Sequence, residues 1–278
     1  MKAKTLPAIS VVSLFTLCVV LFLSSCGSKN YRTIKQIQRS GEVRFAVFFD
    51  NPPFSWMNDE REYQGYDVYF ARRLADELGV RPAFFHVKPD DRAESLMDGT
   101  IDIVVANYTV TEERSKLVAF SLPYMKVYLG VASPKAALIT SEEQLSGKRL
   151  IVTEGATSDT YFSQNHPDVT LVRFSLFPQI FTALREGRGD AVAADAPSLL
   201  GWLSSNTDYA LGIEAVGEPS MIAAAVNKEN HELLKWLNDM IVKLGEEGFF
   251  HADYEATLRP SFGPDAEADE LVVEGGKL

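Results

Sequence analysis

The chain has 278 residues, enough for two modest domains with cores of their own, and 46% of them are hydrophobic. Asp and Glu number 38 against 27 Lys and Arg, giving a net charge of −11 at pH 7 with no basic cluster, which argues against nucleic acid as a partner. Four scattered His and two Cys have no metal-ligand spacing, so neither a metal centre nor a disulfide framework is expected.

At the N-terminus Lys2 and Lys4 precede an apolar run over 6–23, and Leu23-Ser24-Ser25-Cys26 follows. Basic, apolar and small residues in that order read as an export signal over 1–25. An uncleaved anchor is the alternative, since the run approaches a membrane span in length. The small residues before Cys26 resemble the lipobox of bacterial lipoprotein signals. That resemblance implies cleavage before Cys26, a diacylglycerol on its thiol, and a membrane-anchored protein whose folded part stays in water. Cys18 falls in the discarded run, so no free thiol remains, and losing two lysines makes the mature chain more acidic still.

Residues 26–40 form a tether and an amphipathic lead-in that Gly41 ends. Residues 43–49 alternate and are rich in Val and Phe, which predicts a first strand. The loop over 50–54 is enforced by Pro52 and Pro53, which remove backbone donors. Tyr66-Asp67 opens a helix whose apolar residues Val68, Ala71, Leu74, Ala75 and Leu78 recur at helical spacing, with Gly79 as its stop. A strand over 82–87 and a helix over 90–97 follow. Strand and helix alternation predicts a doubly wound α/β lobe.

A short apolar strand over 101–106 then stops in Asn107-Tyr108-Thr109-Val110-Thr111-Glu112-Glu113-Arg114. A strand that turns at once into a helix presents free amides, and Arg114 adds a guanidinium, so the turn suits a carboxylate. The plainer alternative is a capped helix, with Thr111 as N-cap and Arg114 in water. Beyond Tyr124, residues 126–133 read as an extended crossing to a second, smaller α/β unit. Its expected elements are a strand over 149–153, a turn at Gly155, helices over 159–164 and 179–185, and strands over 170–174 and 191–194. The acidic-Gly turn, Asp and apolar strand of 98–107 are echoed at 186–195, ending in Asp195. Ligands bind beyond the carboxyl ends of strands in open α/β sheets, so the duplication suggests two lobes facing one cleft. Arg114 from one lobe and Asp195 from the other match a ligand carrying both charges, such as a free amino acid. Asp195 is also a good N-cap, with Pro197 following in the first helical turn. Residues 217–226 form the return crossing, and an amphipathic helix over 229–244, stopped by Gly245, covers the first lobe. The acidic tail beyond Pro260 reads as a surface strap or disordered chain.

This order of motifs resembles the bacterial extracellular solute-binding proteins of family 3, which serve amino-acid ABC importers. The matching stretches are Pro52-Pro53-Phe54, Gly65-Tyr66-Asp67-Val68, Asp98-Gly99-Thr100-Ile101-Asp102, Thr109 through Arg114, Phe120-Ser121-Leu122-Pro123-Tyr124, Gly155-Ala156-Thr157-Ser158 and Gly189 through Asp195. The resemblance implies a two-lobed α/β fold of the periplasmic-binding-protein type II, with lobe 1 over 41–126 and 220–278 and lobe 2 over 127–219. It implies that Arg114 grips an α-carboxylate with help from Thr109 and Thr157. Asp195 and the carbonyl of Asn107 would share the α-ammonium, while Phe48, Asn51 and Tyr66 complete the ligand-binding set. Asn51 and Pro89 stand where relatives often carry aromatics, so a less aromatic side-chain pocket is expected. A subgroup of cysteine and acidic amino-acid binders shares Tyr124-Met125-Lys126-Val127, but Leu176-Phe177-Pro178-Gln179 departs from it. The expected protein is a lipid-anchored, monomeric receptor without cofactor or metal, not an enzyme, that passes a free amino acid to an ABC permease. The alternatives are an enzyme on the same scaffold, such as a cyclohexadienyl dehydratase, and a sensor or adhesin.

Overall fold

The computed structural model describes residues 29–262 and 267–277. The export signal expected over 1–25 and the acylation expected at Cys26 fall outside the described residues. Among the described residues no helix is long and apolar enough to cross a membrane.

The lead-in is firmly held. Helix α1 (Ile34–Ser40) is capped by Thr33 and buries Ile37. Arg32 pairs with Asp102, which also accepts the Arg44 amide at 2.7 Å. Strand β1 (Glu42–Val47) then runs into the first lobe. A small hairpin sheet of β2 (Asp50–Asn51), β3 (Ser55–Met57) and β4 (Tyr63–Gln64) follows, and it precedes helix α2 (Tyr66–Leu78). The apolar residues of α2 at helical spacing are buried, as the 3.6-residue period requires. Strand β5 (Arg81–His86), helix α3 (Arg92–Met97), strand β6 (Ile103–Val104) and helix α4 (Glu112–Leu117) complete the first passage. Strands β5, β1 and β6 are parallel, so the chain leaves β1 and β6 at the same edge of the sheet, through Phe48 after one and Asn107 after the other.

Strand β7 (Val118–Pro134) leaves this lobe and enters the next without a break. Lobe 2 contains β8 (Arg149–Thr153), α5 (Thr157–Asn165), β9 (Thr170–Phe174), α6 (Phe177–Arg185), β10 (Ala191–Asp195) and α7 (Ala196–Leu203). Strand β11 (Tyr209–Asn227) returns antiparallel to β7 along most of its length, with register shifts between Leu211 and Ala225. The two crossings are therefore one continuous ribbon, and the eight-stranded order is β5-β1-β6-β11-β7-β10-β8-β9. Buried apolar residues still divide into separate groups. One set, on both faces of the first lobe, includes residues up to Val127 and resumes at Ile222. The other is drawn from the stretch between Leu129 and Val216.

Helix α8 (His231–Glu246) covers lobe 1 with Leu233, Leu237, Ile241 and Leu244 buried. It runs through Gly245 instead of stopping there, because Gly245 serves packing: a side chain on it would strike the backbone of Gly275. Helices α9 (Phe249–Thr257) and α10 (Arg259–Phe262) lead to the tail. Residues 267–277 form the strap that the composition allowed. Leu271 accepts the Lys126 amide at 2.7 Å, Val273 donates to Tyr124 at 3.1 Å, and Val272 and Val273 are buried.

Candidate functional site

Six of the eight residues singled out in the sequence line one cavity between the lobes: Phe48, Asn107, Thr109, Arg114, Thr157 and Asp195. Its free volume is only about 20 Å³, because groups from the two lobes already touch across it. A second cavity of about 340 Å³ adjoins it through Arg114 and Thr157.

From lobe 1, Arg114 projects from the first turns of α4. Thr111 does cap that helix, accepting the Arg114 amide at 3.2 Å, yet the guanidinium is not left in water. It donates to Thr109 O at 2.9 Å and reaches across to Gly155 O at 3.0 Å, and its plane lies 5.1 Å from the Tyr108 ring centre. Burial lowers the Arg114 pKa, but a guanidinium keeps its charge. Gly155 has φ +70, and any side chain there would collide with the Asp90 carboxylate, so the close approach of the lobes needs glycine.

From lobe 2, Asp195 ends β10 and starts α7. It makes no side-chain cap bond, so the capping role is not realised. Its carboxylate accepts Asn107 Nδ2 from the opposite lobe at 2.6 Å, and Thr157 lines the cavity beside it. Burial raises the Asp195 pKa, opposed by Asn107, Arg114, Arg92 and Thr157. Asn107 itself has φ +41, uncommon for a residue with a Cβ, and its amide donates to Asp67 at 2.7 Å. Its main-chain carbonyl, expected to share an ammonium, receives Arg92 at 3.2 Å. The side-chain Oδ1 of Asn107 and the Ser158 hydroxyl are instead the buried polar atoms at this cavity without a protein partner.

Three expectations need correction. Tyr66 does not reach the cavity: it is fully buried in the lobe 1 core, its ring 6.0 Å from that of Tyr124. Asn51 is also removed from the cavity. Its Oδ1 accepts Ser198 Oγ of α7 at 3.0 Å, both residues being buried, so it ties the lobes together beside the site. Nor is the pocket short of aromatic surface. Phe177, at the start of α6, faces Phe48 across the cleft with ring centres 6.2 Å apart, and Tyr108 stacks under both guanidiniums.

Arg92 was not anticipated. It is 3% exposed, lines the cavity, and lies 4.2 Å from the Tyr108 ring centre. It donates to Pro89 O at 3.0 Å and Ala106 O at 2.9 Å, and burial with the nearby charge of Arg114 pushes its pKa down to about 9. One sequence signal was available: Arg92 opens α3, where the helix dipole disfavours a cation, so another environment must hold it.

A cleft between two α/β lobes, with a buried guanidinium on one wall and a buried carboxylate on the other, is the arrangement of a solute-binding protein. The chain belongs to the bacterial extracellular solute-binding proteins, family 3, whose pattern it matches over residues 43–256. It is 30% identical over 272 residues to the ABC transporter glutamine-binding protein GlnH of Bacillus subtilis (strain 168), covering 92% of this chain and 98% of that protein. Among solved structures it is similar to the cysteine-binding protein from Campylobacter jejuni, with a TM-score of 0.85 and 40% identity over 87% of this chain and 98% of that one. The solute receptor for L-cysteine of Neisseria gonorrhoeae gives a TM-score of 0.86 and 38% identity, covering 87% of this chain and all of that one. The architecture is the type II periplasmic-binding-protein fold of these neighbours.

Proposed function

We propose that this protein is an extracytoplasmic receptor that closes lobe 1 (41–126 and 220–278) and lobe 2 (127–219) around a compact L-amino acid, with L-cysteine favoured, and delivers it to an ABC permease. One observation carries the reading: Arg114 and Asp195 converge on one cavity, and a donor from the opposite lobe, Asn107 Nδ2, already lies 2.6 Å from the Asp195 carboxylate. A ligand ammonium entering between the lobes is accepted by the remaining lone pairs of the same carboxylate, beside Asn107 Nδ2, while its carboxylate meets Arg114, Thr109 and Thr157. Charge-assisted bonds of this kind contribute roughly 1.5–3 kcal/mol each. A small ligand side chain suits the confined space between Phe48, Pro89 and Phe177, and a thiol packs favourably against aromatic edges. The names of the two similar solved structures support cysteine. The unpartnered Asn107 Oδ1 and Ser158 hydroxyl would also serve a polar side chain such as the glutamine named for GlnH.

Mass spectrometry of whatever small molecule is released on denaturing the purified protein, followed by a thermal-shift panel of the twenty L-amino acids, tests this directly. Stabilisation grows with the logarithm of ligand concentration over Kd, so the cognate ligand stands out. Cysteine should give the largest shift under reducing conditions; a larger shift with glutamine reassigns the ligand, and no shift with any amino acid sinks the reading. Acylation at Cys26 belongs to the same proposal, motivated by the residues before it. A Cys26→Ser variant should leave the membrane fraction, and undiminished membrane association would count against the lipid anchor.

A further inference from the structure

We propose that Asp67 is a positioning residue of the amino-acid site: its carboxylate holds the Asn107 backbone in the conformation that brings Asn107 to Asp195 across the cleft. The proposal rests on the reading of the cavity given above and extends it to a residue that does not line the cavity. Asp67 is the second residue of α2 and fully buried. One carboxylate oxygen accepts the Asn107 amide at 2.7 Å and the other accepts the Tyr124 hydroxyl at 2.7 Å. Asn107 needs such a hold, because φ +41 places its Cβ in the left-handed region that residues other than glycine rarely adopt. Arg92 grips the same stretch from the other side, donating to Ala106 O at 2.9 Å and Asn107 O at 3.2 Å. The turn at the end of β6 is thus held between a buried anion and a buried cation. Released from Asp67, Asn107 relaxes towards negative φ, swinging Nδ2 off Asp195 and its carbonyl off Arg92. Packing alone does not explain an acid here, since burying a carboxyl group costs free energy unless its hydrogen bonds are needed.

The test is an Asp67→Asn substitution, which keeps the shape but replaces a charged acceptor with a neutral amide and so weakens the hold on the Asn107 amide even when the Asn nitrogen turns towards the Tyr124 hydroxyl. Calorimetry with the best-binding of the twenty L-amino acids should show affinity falling about ten-fold, with the far-UV circular dichroism unchanged. An Asn107→Gly background separates positioning from general support. Glycine occupies the left-handed region without steric cost, so there the penalty of Asp67→Asn should shrink to about two-fold or less. An equal penalty in both backgrounds, or wild-type affinity in Asp67→Asn, overturns the proposal. Should Asp67→Asn alone fail to fold, the pair with Asn107→Gly should fold again, and failure of that rescue also overturns it. Hydrogen exchange reads the same hold without ligand. In Asp67→Asn the Asn107 amide should exchange about ten-fold faster, while that of Val105, bonded to Ala46 O, stays protected. If wild type binds no amino acid, the proposed function falls, and the exchange experiment still decides the role of Asp67.

Discussion

In lobe 1 the strand end at Asn107 is bonded from behind through both its amide and its carbonyl, to Asp67 and Arg92. In lobe 2 the matching strand end at Asp195 starts a helix without capping it, and the nearby hydroxyls of Thr153 and Ser158 are buried with no protein partner. The Asp195 carboxylate finds its donor in Asn107 across the cleft. The duplicated sequence element has therefore become two different devices. On the proposed function lobe 1 would serve as a preorganised platform, its strand end held from within the lobe, and lobe 2 as the jaw whose carboxylate finds a donor across the cleft. Preorganisation lowers the ordering cost of binding, so lobe 1 should dominate affinity and lobe 2 the stability of the closed state.

The sharpest way to break this comparison is to remove the charged group of each lobe in turn. Arg114→Ala should weaken amino-acid binding by about 100-fold or more, since it deletes the carboxylate clamp and the bond to Gly155. Asp195→Asn retains a hydrogen-bonding side chain and should cost less, about ten-fold. Calorimetry that ranks them the other way would make lobe 2 the platform.

Acidity should pull stability and affinity apart. Burial pushes Asp67 up to about 6, opposed by the Tyr124 and Asn107 bonds, and burial also raises Asp50 to about 6 and lifts Asp253 well above the ordinary carboxylate value. The folded state holds these protons more tightly than the unfolded chain, so stability is lost as pH rises through the folded values and regained on acidification. For His251, burial favours the neutral ring, but Glu274 and Asp269 outweigh it and raise the pKa, which adds stability in the same direction. Between pH 7.5 and 5, Asp67 alone should add about 1 kcal/mol, raising Tm by about 2–4 °C. Below about pH 4 the gain should reverse, because Glu77, held low by Lys243 and Arg73, and Asp190, held low by Arg149, lose their ion pairs. Affinity should instead fall on acidification as Asp195 and Asp67 take up protons. Calorimetry and thermal melts across the same buffers check both, and parallel trends would contradict the assignment.

The smallest expected effect lies outside the cavity. Ser198→Ala removes the bond to Asn51, so ligand release should quicken by about two- to five-fold with little change in association rate. Stopped-flow measurement distinguishes that from a change in the platform.

Much of this was legible beforehand because it is local. The period of α2, the strand over 170–174 and the start of α7 follow from apolar spacing and proline placement, and the convergence of Arg114 and Asp195 follows from a repeated strand exit. What was missed depends on contacts between distant segments. Arg92 looks like a surface residue of a short helix until Pro89, Ala106 and Tyr108 fold around it. Asn51 and Phe177 take their roles only when the opposite lobe arrives. Tyr66 sits in a family motif that serves the core, and Gly245 reads as a helix stop unless the tail that packs on it is known.

The ribbon of β7 and β11 carries one more consequence, for how such a protein changes over generations. The apolar interior is parted where the ribbon passes from one lobe to the other, so substitutions deep in one lobe have few shared neighbours with those in the other and should combine additively. Each half can drift on its own terms. The residues facing each other across the cavity are where both histories must agree, and there a change on one wall is judged by what stands on the other.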